Sequence, residues 1–367
     1  MRIVFVLTYP IYHSLADVDA WLAWDSRDRR MPALLAGLGP DVELWGIARQ
    51  PVDRLIDPPA LPPGPAGETA APVRLRGFRP DNPTAVTRAH VSADMVAAAR
   101  AEPADLYVLI GTNGGAGFDL HDKALAPLSL RYAVIIGGDY WSRLIPGAAL
   151  VLPEAEVQCR RLAHPFPRIW RRSVPADRMM MLPKSIDTRR FTPAAAAADT
   201  ILDQDHDVIA VSRLSGWKSF DAVGELSRDL RVAVAGGGDR ADELRRKYSR
   251  VDWLGHVPHA ELPARLRRSR LYFHAGRRDY HPRAIVEAMA CGLPVAALDD
   301  RIGPDVLPPD CGLLLDPRNF VPKVRALLAD EPRRAAMGQA ARRHAAAKHG
   351  LFSSLPACRR LIELAQL

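Results

Sequence analysis

The chain has 367 residues, with 50 Lys and Arg against 42 Asp and Glu for a formal net charge of +8, and 48% of its side chains are hydrophobic. That length accommodates two α/β domains with separate cores, and the basic excess favours anionic partners such as nucleotide diphosphates, acidic glycans or phospholipid surfaces. No stretch approaches the ~18–20 apolar residues of a membrane-spanning helix, no nucleic-acid-binding motif accompanies the basic charge, and Cys159, Cys291, Cys311 and Cys358 are scattered without metal-ligand spacing, as expected of buried thiols in a reducing cytosol.

The N-terminal MRIVFVLTYPIY carries one charged side chain and no small-residue cleavage site, so it reads as a first strand, Ile3–Leu7, rather than a signal peptide. Further strand-like runs follow at Val42–Ile47, Leu106–Ile110 and Ala133–Ile136. The proline-dense stretch between Pro51 and Pro83 reads as a long surface loop. A helix is expected over Ala85–Ala101 with Thr84 as its N-cap. Alternating strands and helices imply a parallel, doubly wound sheet. The basic, aromatic Arg160–Arg172 is broken by Pro165 and Pro167 and reads as a solvated face, able at most to touch an anionic membrane peripherally. Val174–Pro193 has the turn chemistry of an interdomain connector, with the low-complexity Ala194–Ala198 after it. A second alternation runs through Val208–Val211, Val232–Ala235, Leu271–His274 and Val295–Leu298, and Pro332–Leu367 is helical by composition.

The most informative segment is His274–Ala297, HAGRRDYHPRAIVEAMACGLPVAA. Pro282 suits the first turn of a helix that Gly292-Leu293-Pro294 ends, so an acidic loop feeds a helix N-terminus. Such a terminus attracts phosphate or electron-rich sugar oxygens. Asp279 lies just ahead of the helix and Glu287 about one to two turns into it, so both carboxylates face one ligand, or else the segment is an acidic amphipathic helix on a sheet with Glu287 on its solvated face. Upstream, VSRLSGWKS (Val211–Ser219) follows a strand end, and Arg213 and Lys218 reach one diphosphate across its Gly216-containing turn. Arg231–Asp239, RVAVAGGGD, ends a strand in glycines but lacks the spaced third Gly of a dinucleotide fingerprint, so Gly236 reads as close backbone approach to a ligand. The Asp-x-Asp pairs within Asp17–Asp19 and Asp203–Asp207 are weak metal signals, because Arg213, Lys218 and a helix terminus already supply positive charge; no metal is expected.

These motifs resemble the retaining glycosyltransferases of family 4. The Asp279, seven residues, Glu287 element is similar to that family's Glu, seven residues, Glu signature, with Asp279 one methylene shorter than the usual Glu. Arg213 and Lys218 resemble its Gly-Arg-Leu and Lys-Gly element, with Ser212 and Ser219 in place of the glycines. Trp253–Pro258 resembles the loop whose backbone contacts the nucleotide base, which assigns His256 and Val257 by their main chain. Lys184–Asp187 and Phe191–Pro193 resemble the family connector without its Asn-Gly pair.

The resemblance implies a GT-B fold of two Rossmann-like α/β domains with parallel sheets facing a central cleft and a C-terminal helix crossing back. The expected bounds are 1–180 for the acceptor-binding domain, 181–193 for the connector, 194–345 for the nucleotide-sugar domain and 346–367 for the returning helix. It implies transfer of a hexose-like sugar from a nucleoside diphosphate donor, without other cofactors, to an unidentified glycan, lipid or small natural-product acceptor, in the cytoplasm or peripherally at the inner face of the membrane. Arg213, Lys218 and Asp279 would be catalytic, and His256, Val257, Tyr280, His281, Pro282, Arg283, Glu287 and Gly236 would bind donor. The first domain departs most: Tyr9–Ser14 replaces the Gly-Gly loop, and in IIGGDYW (Ile135–Trp141) a glycine stands where the family has a His. His13 and Asp139 are the compensating acceptor-side candidates. The rival readings are a nucleotide-sugar-binding protein that has lost transfer, and a GT-B epimerase or phosphorylase, which the Asp279–Glu287 element argues against.

Overall fold

A computed structural model describes the chain except residues 14–16, 24–25, 139–140, 166–171, 194–204, 217, 277–278 and 299–300. It divides into two compact units, one of Met1–Pro183 with Phe352–Leu367 and one of Lys184–Leu351. The division falls within the expected connector at one crossing and within the expected terminal helix segment at the other.

The first unit holds β1 (Arg2–Leu7), β2 (Asp41–Ile47), β3 (Val52–Ile56), β4 (Val73–Phe78), β5 (Leu106–Ile110), β6 (Tyr132–Ile135) and β7 (Leu150–Leu152) in the order β3-β4-β2-β1-β5-β6-β7. Every pairing is parallel except β3 with β4. β1 alternates its side chains between two cores, as a strand buried on both faces must. Ile3, Phe5 and Leu7 pack with Leu34 and Leu35 of the helix Arg27–Gly37 and with Leu361 and Leu364 of the C-terminal helix Leu355–Gln366. Val4 and Val6 pack on the opposite side with Met95 and Val96.

The second unit holds β8 (His206–Val211), β9 (Val232–Ala235), β10 (Asp252–Gly255), β11 (Ser269–His274), β12 (Val295–Ala297) and β13 (Gly312–Leu314), all parallel, in the order β10-β9-β8-β11-β12-β13. In both sheets the chain builds outward on one side and then crosses over, which creates a switch point between β1 and β5 and another between β8 and β11. Ligands of open α/β sheets bind beyond the C-terminal ends of the strands at such points.

Two expectations are corrected. The Pro51–Pro83 stretch is not one loop: Val52–Ile56 and Val73–Phe78 pair as β3 and β4, and the prolines cluster between them. The helix expected over Ala85–Ala101 spans only Ala93–Ala101, and its N-cap is Ser92, which accepts from Met95 N, rather than Thr84. Thr87–Ala89 forms a separate short turn. The break falls at His90, which is buried and extended, with Nδ1 2.8 Å from Tyr12 Oη and Nε2 3.0 Å from the Ala85 carbonyl.

Candidate functional site

The switch point of the second unit gathers the strongest sequence motifs. Past β8, Ser212 N–H donates to the Ala235 carbonyl (3.0 Å), Leu214 N–H to Gly237 (2.9 Å) and Ser219 N–H to Ala275 (2.9 Å). Lys218 pairs with Gly276 in an isolated antiparallel bridge. This stitching delivers the Lys218 ammonium, from the end of β8, to 2.5 Å from Asp279 Oδ2, beyond the end of β11. His274, the last residue of β11, places Nε2 3.2 Å from the same oxygen, although the imidazole is not aligned for a hydrogen bond. Burial pushes the Asp279 carboxyl up, but His274 and Lys218 outweigh it and hold the group below the usual carboxylate range. Gly276 makes the arrangement possible. A Cβ there would lie 2.4 Å from His274 Nε2 and 2.5 Å from Asp279 Oδ2.

The acidic loop then enters the helix Arg283–Ala290. Pro282 stands one position earlier than expected, as N-cap rather than in the first turn, and having no N–H it leaves the first amide donors to Arg283 and Ala284. Gly292, at φ +79°, follows the helix C-cap Cys291. Glu287 is buried, and its Oε1 accepts from His259 Nε2 and Arg283 Nε, each at 2.8 Å. Because a carboxylate only accepts, the His259 proton must sit on Nε2. The side chains of Tyr280 and His281 are also buried. Arg301 Nη1 donates to Tyr280 Oη (3.3 Å), and His281 Nδ1 accepts from Lys184 N–H (3.1 Å), so these residues can offer a ligand chiefly their main chain.

Gly236 N–H donates to the Gly255 carbonyl (2.7 Å), joining the glycine turn after β9 to the loop that carries His256 and Val257. At φ +151°, with a would-be Cβ 1.9 Å from the Ser212 carbonyl oxygen, position 236 admits only glycine. His256 is exposed and Val257 half-buried. Arg213 is exposed on the loop after β8, and among the described residues nothing pairs with its guanidinium. The structure therefore brings Lys218, Gly276 and Asp279 together, and among the described residues no ion pair joins Arg213 to them.

In the first unit, His13 Nδ1 lies 2.6 Å from Thr87 Oγ1, with the Tyr9 ring 5.0 Å from the His13 ring. Asp139 lies outside the described residues, as do Asp203, Ala194–Ala198 and the centre of Arg160–Arg172. Arginines engage most of the other Asp-x-Asp carboxylates: Asp19 pairs with Arg54, Asp205 with Arg268, and Asp207 with Arg231 and Arg270. Among the described residues no cluster of metal-ligating side chains forms. Sequence reasoning missed His274, His259 and Gly276, whose roles depend on Asp279 in the following loop, Glu287 on a helix and Lys218 on the loop after β8. It also missed Gly111–Gly117: the glycine-rich turn of this unit follows β5 instead of β1 and packs against Thr8 so closely that Gly114 has no room for a side chain.

Comparison with known proteins bears on the family region and the fold. Residues 196–344 match the family described as "Glycosyl transferases group 1". The phosphatidylinositol N-acetylglucosaminyltransferase subunit from Arabidopsis thaliana is 31% identical over 155 residues, covering 38% of this chain and 34% of the relative. A GDP-mannose-dependent monoacylated alpha-(1-6)-phosphatidylinositol monomannoside mannosyltransferase from Corynebacterium glutamicum is 29% identical over 196 residues, covering 46% and 51%. The chain thus spans between a third and about half of the length of these curated relatives. Among solved structures, sucrose-phosphate synthase from Thermosynechococcus elongatus superposes with a TM-score of 0.68 at 17% identity, covering 100% of this chain and 98% of that one. Anabaena HepE in complex with UDP gives 0.64 at 17%, covering 100% of both. The chain has the GT-B fold, and its second unit carries the region that matches the group 1 glycosyl transferases.

Proposed function

We propose that this protein is a retaining, metal-independent glycosyltransferase of the family 4 type. It moves a sugar from a nucleoside diphosphate donor, bound at the β8–β11 switch point, to an acceptor held by the first unit. The observation that carries this reading is the meeting of Lys218 and Asp279 from two separate strand ends, a few residues ahead of the helix that holds Glu287. An ammonium on a short loop can neutralise the charge that develops on a departing diphosphate, and Arg213, exposed on the same loop, can add to it. Asp279 accepts hydrogen bonds from hydroxyls of the donor sugar, the Arg283 and Ala284 amides face the phosphates, and Glu287, fixed by His259 and Arg283, anchors the ribose. Gly236 and the His256–Val257 main chain receive the base.

HepE has been solved with UDP and with UDP-glucose, which supports a nucleotide-sugar donor. The names of the relatives include phosphatidylinositol substrates, which favours a lipid-linked or glycan acceptor and a peripheral membrane position. Among the described residues no helix is long and apolar enough to cross a membrane.

The test uses UDP-glucose, UDP-N-acetylglucosamine and GDP-mannose as donors, with proton NMR of the first-formed product. The donor's anomeric configuration should be kept and activity should survive EDTA. An inverted product removes the retaining reading, and activity lost to EDTA but restored by Mn²⁺ removes the metal-independent one. Lys218→Ala should lower kcat by roughly 10²–10³.

A further inference from the structure

Lys218 has two duties that conflict. Its ammonium sits 2.5 Å from Asp279 Oδ2 with little exposure to solvent. In the reaction proposed above, on which this inference rests, the same ammonium serves the diphosphate. When it moves there, Asp279 keeps the burial that pushes its carboxyl up and loses a principal cation holding it down. A carboxyl left so would take up a proton, and a protonated Asp279 would be a poorer acceptor for sugar hydroxyls.

His274 is built to take over. Its imidazole is buried, and Nε2 stands 3.2 Å from Oδ2 without an aligned hydrogen-bond partner. Its backbone is fixed at the end of β11, where the His274 carbonyl accepts from Leu298 N–H at 3.2 Å. Its ring stacks on Tyr272 at 6.4 Å between centroids, with 25° between the planes. Tyr272, whose phenol burial pushes up and whose Oη donates to the Val211 carbonyl at 3.4 Å, stays neutral and does not compete for the proton. Among the described residues, Asp279 Oδ2 faces the imidazole and Lys218 meets the same oxygen, while Glu287 and Asp279 are the carboxylates that act on Tyr272 beside it. Gly276 supplies the remaining space, because any side chain there would occupy the position where the imidazole and the carboxylate meet.

We propose that His274 is a positioning residue for Asp279. As the donor diphosphate draws Lys218 away, the His274 Nε2–H turns onto Oδ2 and keeps the carboxylate ionised as an acceptor for the donor sugar. No bond is made or broken; the hydrogen bond to Oδ2 passes from an ammonium to an imidazole.

The experiment titrates the Asp279 side-chain carbon by ¹³C NMR in the full chain, with and without saturating UDP, in wild type, His274→Leu and His274→Gln. Without UDP the Asp279 midpoint in His274→Leu should rise only modestly, because Lys218 still holds the carboxylate there. With UDP, the Asp279 midpoint in His274→Leu should rise by about one pH unit, a roughly tenfold change in proton affinity. His274→Gln, a neutral donor of similar reach, should fall between Leu and wild type. Calorimetry should show the acidic limb of UDP-glucose affinity moving upward in His274→Leu, while UDP affinity itself holds. A purely structural role would not produce a shift that grows when UDP is bound. If wild type binds UDP and Asp279 titrates identically in all three loaded proteins, the role of His274 is overturned and the donor site stands. If wild type binds none of UDP, GDP and their sugar conjugates, the donor site falls and the inference falls with it.

Discussion

Adding one methyl group at Gly276 tests the geometry of the site without touching a charged residue. The Cβ of Gly276→Ala would lie 2.4 Å from His274 Nε2 and 2.5 Å from Asp279 Oδ2, and neither neighbour can easily retreat. The imidazole is stacked on Tyr272, and the carboxylate is drawn toward Lys218, whose own backbone is bridged to residue 276. Overpacking of this kind costs about 1–3 kcal/mol. At roughly 2–4 °C per kcal/mol for a unit of this size, the melting temperature should fall by roughly 2–12 °C. Gly216→Ala is the matched control: it lies on the loop after β8, has, among the described residues and apart from its chain neighbours, no heavy atom within 4 Å of its would-be Cβ, and should stay within about 0.5 kcal/mol of wild type. Differential scanning calorimetry of both variants with and without UDP-glucose reads the effect. Gly276→Ala should also lose donor affinity, because Asp279 is displaced. Equal melting temperatures and equal donor affinity for the two variants would refute the packing argument.

Asp279→Asn should weaken UDP-glucose binding roughly 10–100-fold, the worth of a hydrogen bond to a charged acceptor at ~1.5–3 kcal/mol, and leave UDP affinity nearly intact by calorimetry. Glu287→Ala should instead weaken UDP itself and lower stability by about 3–5 kcal/mol, since it strips His259 and Arg283 of a buried charged partner; urea unfolding measures the latter. Burial pushes the His349 imidazole down to about 4 from its usual 6.5. Between those values the unfolded chain binds a proton that the folded chain does not, so stability falls as pH drops from about 6.5 toward 4. Melting curves across that range should show the loss, and His349→Gln should flatten it; a parallel profile in the variant would remove His349 as its source.

The buried strands were legible because each is a short apolar run bounded by turn residues, as in Leu106–Ile110 and Val232–Ala235, whose bounds match the structure. β3 was not: its sequence, VDRLI, exposes three successive side chains and sits at a sheet edge beside prolines, so neither periodicity nor composition marks it. His90 shows a second limit. Thr84–Ala101 has helical composition throughout, but the helix begins only after Ser92 caps it, and the buried His90 ahead of that cap is held by Tyr12 from a distant part of the chain. In the site, Asp279, Glu287 and Lys218 stood out because their spacing repeats a motif. His274 and His259 carry no spacing signal: His274 becomes meaningful only because Asp279 comes to lie 3.2 Å from it, and His259 only when the helix Arg283–Ala290 brings Glu287.

The shorter acid at position 279 acquires a physical meaning from this arrangement. A carboxylate one methylene closer to the backbone stays within reach of both the β8 loop and the end of β11, where Lys218 and His274 meet its Oδ2 across the space left by Gly276. A Glu there would carry its charge farther from the His274 ring, which cannot follow because it is the terminal residue of a buried strand. His274, Gly276 and Asp279 therefore form one steric and electrostatic solution, and a change at any one of them alters what the other two can do. Their effects should be non-additive in double variants, as expected of residues that share a single partner atom.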